Sequence, residues 1–236
     1  MSSATHAISI IIPAHNEALF LPSCLESIFS QRLSIPFEVI VVDNNSTDDT
    51  AQVARKWNVE LLSEKKKGVT CARNSGAKRA KADILYFLDA DCRLPEGRLQ
   101  DILNEFQKDT SLSLISGPYI YDKDGFIPYF FTKVLGYFTL YHSIFKWITG
   151  ITQFSGGNII IRKKVFEQVG KFDEHIQDIN IPEDVDLAMR LRAMGGVTVL
   201  FEKKYAVYSS FRRVKQSPLD SVIRFRALLE RIRSGT

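Results

Sequence analysis

The chain has 236 residues, 45% apolar and 25% charged, which suits one domain with a well-filled core. That balance excludes a disordered, collagen-like or integral-membrane chain as a whole. The net charge of +4 is unevenly spread: nine basic and three acidic residues from Phe201 onward give that stretch +6 and leave the first 200 residues at −2, a local basic surface rather than a nucleic-acid-binding face.

Cys24, Cys71 and Cys92 are odd in number and far apart, so neither a disulfide framework nor a CxxC metal cluster is expected, and a reducing compartment follows. Met1–Ala7 shows no basic-then-apolar leader pattern. No uncharged apolar run reaches the roughly 18 residues of a spanning helix. A cytoplasmic location is expected, with peripheral contact at the inner face of the cytoplasmic membrane compatible with it.

In chain order, Ile8–Ile12 is an apolar, mostly β-branched run ended by Pro13, the pattern of a buried parallel strand. Helical spacing of Leu21, Leu25, Ile28 and Phe29 predicts a helix over Glu17–Gln31. A strand over Phe37–Val42 leads into a polar turn, where Ser46 or Thr47 is placed to cap a helix running to Trp57. Val59–Leu62 reads as a strand, Gly68–Ala82 as a helix with small residues on one side, and Ile84–Leu88 as a strand ending at Asp89-Ala90-Asp91. The repeated β-α order predicts a parallel sheet with helices on both faces.

Further on, Leu94–Lys108 is predicted helical with Pro95 near its first turn, and Leu112–Tyr121 is a strand interrupted by Gly117-Pro118. Gly156-Gly157 precedes a strand, Asn158–Arg162, and Lys163–Val169 is a short helix. A helix runs from Glu183 or Asp184 to Met194, followed by strands Val197–Phe201 and Tyr205–Ser209 and a terminal amphipathic helix, Ser217–Arg233. No repeat or linker divides the chain. The expectation is one domain over 1–236, with a nucleotide-binding half at 8–121 and an acceptor-binding half at 122–236.

Ligands of such sheets bind beyond the carboxyl ends of the strands, where Asp43, Asp89 and Asp91 all fall. Asp43 also fits an ordinary turn aspartate. In extended geometry Asp89 and Asp91 point the same way and their carboxylates crowd one place, which suits a hard divalent cation, Mg²⁺ or Mn²⁺, shared with phosphate oxygens. The second acidic centre, Glu183-Asp184, lies at a helix start. It suits either helix-dipole stabilisation or a carboxylate general base. Pro13-Ala14-His15-Asn16-Glu17 follows the first strand and Asp43 the second, where edge carboxylates can accept hydrogen bonds from a base or ribose, and Arg73-Asn74 is placed to reach a base or phosphate. No GxGxxG follows the first strand and no GxxxxGK[ST] occurs, which excludes a dinucleotide site of that kind and a P-loop NTPase.

Taken in order, these segments resemble family 2 of the inverting glycosyltransferases. The resemblance rests on Ile10–Glu17, Val41–Thr50, Ala72–Gly76, Phe87–Asp91, Gly156–Asn158, Gly170–Glu174 and Glu183–Leu187, and covers roughly residues 8 to 200. It implies an α/β GT-A fold: a mostly parallel, Rossmann-like central sheet flanked by helices, with a smaller mixed acceptor-side part. It implies a UDP- or GDP-linked sugar donor and an acceptor hydroxyl on a glycan, a lipid-linked sugar or a small molecule. Pro13, Ala14, Asn16, Glu17 and Asp43 would line the nucleotide pocket, with Arg73 near the nucleotide or diphosphate. Asp89-Ala90-Asp91 would be the metal-diphosphate motif, Asp91 the more direct ligand. Gly157 and Asn158 would lie beside the sugar. Asp184 would be the base, with Glu183 its neighbour.

Many members carry a histidine after the final strands; here Tyr208–Arg213 has none, so Arg212 or Arg213 is expected to grip the diphosphate instead. The aromatic run Pro128–Gly150 contains twelve uncharged residues between Lys133 and Lys146. As helix they extend about 18 Å, short of a bilayer core of about 30 Å. The run fits a cover for the sheet or a homodimer face, and equally an interfacial or acceptor wall. The competing classes are a nucleotidyltransferase, which would need a glycine- and arginine-rich loop after the first strand, and a non-catalytic carbohydrate- or lipid-binding module on the same fold.

Overall fold

The computed structural model describes residues 6–121, 154–176 and 182–210. The aromatic run, the terminal amphipathic helix, Arg212 and Arg213 lie outside them. Ten strands and six α-helices are described, in the order β1 (Ser9–Ala14), α1 (Leu21–Phe29), β2 (Glu38–Asp43), α2 (Thr50–Ala54), β3 (Glu60–Ser63), α3 (Val69–Arg79), β4 (Ile84–Leu88), β5 (Cys92–Arg93), α4 (Arg98–Lys108), β6 (Leu112–Ser116), β7 (Tyr119–Tyr121), β8 (Asn158–Arg162), α5 (Lys163–Gln168), α6 (Glu183–Met194), β9 (Thr198–Phe201) and β10 (Val207–Ser209).

Seven strands form one sheet in the order β3-β2-β1-β4-β8-β6-β9, and β5-β10-β7 form a second, smaller one. Side chains alternate across the large sheet, so its apolar runs feed two cores. Ile10, Ile12, Val41, Tyr86 and Leu88 pack with α1 and α4 on one face, while Ile11, Ile40, Val42, Leu85 and Phe87 pack with α3, α5 and α6 on the other. The small residues of α3 have a structural reason. A Cβ on Gly76 would lie 2.4 Å from Ile11 Cγ2, so only glycine lets the helix backbone settle this close to β1.

Three details differ from the sequence reading. The large sheet is not wholly parallel: β8 runs antiparallel to both β4 and β6, pairing Leu88 with Asn158, which carries the start of β8 to the carboxyl end of β4. The first and fourth helices begin later than expected, at Leu21 and Arg98. Glu17 closes a turn with Phe20 and Leu21, and Gly97 takes a left-handed conformation at φ +74°. Neither Ser46 nor Thr47 caps α2. That helix starts at Thr50 without a side-chain cap, because both residues are engaged with the loop after β1. Among the described residues no helix is long and apolar enough to cross a membrane.

Candidate active site

β1 and β2 are parallel and end together, with Ala14 beside Asp43, so their following loops meet. Asn16 adopts φ +56°, a conformation asparagine tolerates. Its side-chain oxygen accepts the Thr47 N–H at 2.8 Å while its own N–H donates to Ser46 Oγ at 3.0 Å. Glu17 is buried and its N–H donates to Thr50 Oγ1 at 2.8 Å. Asp43 accepts the Ser46 N–H at 3.2 Å, and His15 Nδ1 lies 2.8 Å from the Asn44 carbonyl oxygen. Pro13 is half-buried and Ala14 buried beneath these loops. Asn44 then donates to the carbonyls of Glu64 and Lys66 and accepts the Gly68 N–H, drawing in the segment after β3.

Asp89, Ala90 and Asp91 follow β4, but not as extended chain. The Cys92 N–H donates to the Asp89 carbonyl at 3.0 Å, closing a turn, and the two carboxylates have different neighbours. Asp89 meets the Arg73 guanidinium at 2.9 Å, whereas Asp91 accepts the Ser210 hydroxyl at 2.7 Å. Ser210 reaches that position because β10 pairs antiparallel with β5. Both carboxylates are hard oxygen donors, the chemistry that suits Mg²⁺ or Mn²⁺ sharing its coordination shell with phosphate and water. Among the described residues no group of three or more His, Cys, Asp and Glu is gathered to hold a metal by protein ligands alone.

The second acidic centre lies against the first. Gly156 and Gly157 stand at the carboxyl end of β4 because β8 starts there. The Gly156 N–H donates to Asp184 Oδ2 at 3.0 Å, and the Gly157 N–H donates to Tyr119 Oη at 2.7 Å. Arg73, 1% exposed, donates to Asp89 on one side and to Glu183 at 2.8 Å on the other, with its guanidinium 5.3 Å from the Phe172 ring centroid. Burial would discharge this guanidinium, but the carboxylates of Asp89 and Glu183 hold it protonated. For Asp184, burial and the charge of Glu183 push the carboxyl up to about 7, against the opposing pull of Arg73 and the Val185 and Gly156 N–H groups. A carboxylate so tuned can accept a proton near neutral pH.

Other residues named from sequence have structural partners. Asn158 is fully buried. Its amide donates to the carbonyls of Gly117 (3.0 Å) and Tyr205 (2.8 Å), and its oxygen accepts the Tyr86 hydroxyl at 2.8 Å. Asn74 holds the segment after α5, donating to the Phe172 carbonyl and Glu174. The sequence marks the segments Gly170–Glu174 and Tyr208–Arg213 but assigns no role to Phe172 or Ser210, and it does not single out Tyr119. Ser210 is 119 residues from Asp91, and no local pattern joins them.

The family model described as "Glycosyl transferase family 2" matches residues 9–170, more than half of the chain. A glycosyltransferase AglE from Haloferax volcanii is 31% identical over 185 residues, covering 75% of this chain and 59% of that protein. A chondroitin synthase from Escherichia coli is 32% identical over 113 residues, 46% of this chain and 16% of that one. The chain thus spans less than two thirds of these relatives. Among solved structures, the mannosyltransferase PcManGT from Pyrobaculum calidifontis, in complex with GDP-Man and Mn²⁺, superposes with a TM-score of 0.64 at 19% identity, covering 87% of this chain and 58% of that one. TarS 1–349 from S. aureus in complex with UDP gives 0.65 at 20% identity, covering 94% and 64%. The sheet order with its second small sheet, the site at the strand ends and the family match agree: the chain belongs to glycosyl transferase family 2 and has a GT-A fold.

Proposed function

We propose that this protein moves a sugar from a nucleotide-diphospho-sugar to an acceptor hydroxyl with inversion at the anomeric carbon. Asp184 is the base, and Asp91, with Asp89 behind it, is the seat for Mn²⁺ or Mg²⁺. The observation that carries the reading is the Gly156-Gly157 turn: Gly156 hydrogen-bonds Asp184, and Gly157 packs against Asp89. The donor class is supported by relatives of the same fold whose structures contain GDP-Man with Mn²⁺, UDP or UDP-GlcNAc.

In this reading the loops after β1 and β2, with Pro13, Ala14, Asn16, Glu17 and Asp43, receive the nucleoside. Arg212 or Arg213 contacts the diphosphate. Asp184 takes the proton of the acceptor hydroxyl as that oxygen bonds to the anomeric carbon. The bond from that carbon to the diphosphate oxygen breaks on the opposite side, and its electron pair leaves with the nucleoside diphosphate. A bound divalent ion supplies stabilisation of the charge on the departing diphosphate. The acceptor is a glycan, a lipid-linked sugar or a small glycosylated molecule.

The test is a thermal-shift screen of UDP-, GDP- and dTDP-sugars with and without Mn²⁺, followed by assay of nucleoside diphosphate release and of the product anomer. One donor should stabilise the protein more with the metal present. Asp91→Ala should lose the metal-dependent increment, and Asp184→Asn should keep the shift but lose turnover. Full transfer by either variant, or a product of retained configuration, overturns the assignment.

A further inference from the structure

The turn that joins the two acidic centres is held from a third side. The Asn158 N–H donates to the Ser155 carbonyl at 2.8 Å, closing a β-turn with Gly156 and Gly157 as its central residues. Their N–H groups leave the turn for different acceptors. Gly156 reaches Asp184 Oδ2 at 3.0 Å, and Gly157 reaches the Tyr119 hydroxyl oxygen at 2.7 Å. Tyr119 is the first residue of β7, paired with Val207 of β10, and its ring packs against the core shared with α1 and α4. The phenol thus ties the corner of the turn to the small sheet. Burial, with the Asp89 charge adding to it, keeps this phenol protonated well above its ordinary range, so a neutral oxygen meets the Gly157 N–H.

We propose that Tyr119 is a positioning residue for the transfer: its hydroxyl fixes the Gly156-Gly157 turn and thereby holds the Asp184 carboxylate in the orientation that receives the acceptor proton. The inference rests on the reading of Asp184 as the base. Two N–H groups steer that carboxylate, Val185 on Oδ1 at 2.9 Å and Gly156 on Oδ2 at 3.0 Å. The first comes from its own helix, whereas the second is set by the turn. Gly157 is buried and packs against the Asp89 carboxylate, a charged and therefore stronger acceptor than a phenol. Without the hydroxyl, the Gly157 N–H is left unpaired and is drawn to Asp89. Rotating one amide of a tight turn moves the next, so the Gly156 N–H leaves Asp184. The charged groups facing Asp184 are Glu183 beside it and Arg73 from α3, which also pairs with Asp89. Removing the Tyr119 hydroxyl changes none of these charges, so the turn N–H is the variable. That N–H favours the ionised carboxylate, and its loss makes Asp184 keep its proton to higher pH.

The full chain, labelled with ¹⁵N-glycine, would be titrated without donor or metal as wild type, Tyr119→Phe and Asp184→Asn, following the Gly156 amide resonance. An amide bonded to a carboxylate reports its ionisation. Phenylalanine keeps the ring and its packing, and the remaining glycine resonances check that each variant is folded. In wild type the Gly156 resonance should titrate near the value of about 7 to which Asp184 is pushed, and in Asp184→Asn that titration should vanish. In Tyr119→Phe the midpoint should rise by about one pH unit, the size of one hydrogen bond to a charged group. Turnover, read as nucleoside diphosphate release from UDP-GlcNAc and GDP-mannose with Mn²⁺, should fall about tenfold in Tyr119→Phe, with its acid limb displaced in the same direction. Equal Gly156 midpoints in wild type and Tyr119→Phe, a wild-type resonance that does not titrate, or an unchanged turnover profile would overturn the proposal. Full turnover by Asp184→Asn removes the base reading, whereas loss of turnover there beside a wild-type profile in Tyr119→Phe removes the positioning role alone.

Discussion

Gly157 packs so closely on Asp89 that a Cβ added to it would lie 2.2 Å from the Asp89 Cγ. Asp89 has no room to recoil, because Arg73 holds its carboxylate and its own N–H donates to the Gly157 carbonyl at 3.2 Å. Gly157→Ala should therefore cost about 1–3 kcal/mol as an overpacked site and weaken the metal-dependent nucleotide response. Chemical denaturation and a nucleotide titration measure both, and an unchanged variant would show that the carboxylate can move.

The Arg73 guanidinium pairs with Asp89 at 2.9 Å and with Glu183 at 2.8 Å. Arg73→Met removes the cation from a pair whose side chains are 1% and 5% exposed. A loss of about 3–5 kcal/mol is expected, because a buried carboxylate is left uncompensated. Adding Asp89→Asn should recover part of that loss, and a double-mutant cycle by urea unfolding reads it. Additive losses would mean that the two side chains do not depend on each other.

Asp184 predicts two pH effects. As a base with its carboxyl pushed up to about 7, it should give kcat/KM an acid limb near that pH, with activity rising as the pH is raised. Glu183→Gln removes one cause of the upward push and should move the limb to lower pH. For stability the sign is the reverse. The folded protein holds the Asp184 proton more tightly than the unfolded chain, whose ordinary value is 3.8. The resulting stabilisation is complete below about pH 4 and is lost as the pH rises through about 7. Relative to wild type, Asp184→Asn should thus melt at a higher temperature at pH 8 than at pH 5. An unchanged difference between the two pH values would count against the burial of this charge.

Asn158→Ala would leave the Tyr86 hydroxyl and the carbonyls of Gly117 and Tyr205 without their present partner. Each buried group so stranded costs about 1–3 kcal/mol, so the melting temperature should fall steeply. Nucleotide affinity at a temperature where the variant is folded should be close to wild type. A stable variant with weakened donor binding would instead place Asn158 in the sugar pocket.

Several parts of this architecture were legible because they are local. The apolar runs at Ile8–Ile12 and Ile84–Leu88 form strands since both sheet faces are covered, and such runs carry their own signature. The acids at strand ends and at the start of α6 were visible as pattern. The antiparallel course of β8 was not, since an Ile-rich strand reads alike in either direction. Nor was the absence of a cap on α2: Ser46 and Thr47 have capping chemistry, but the loop after β1 competes for them.

The order of chemical groups along the chain thus determined the strand–helix alternation, the class of fold and the two acidic centres. Tertiary structure alone decided that the centres meet. The reversed β8 sets Gly156 and Gly157 between them, and the Arg73 guanidinium spans Asp89 and Glu183, residues 94 positions apart in the sequence. Contacts at that separation depend on strand order and direction, which no short-range pattern encodes, and the upward shift of Asp184 is a product of that burial.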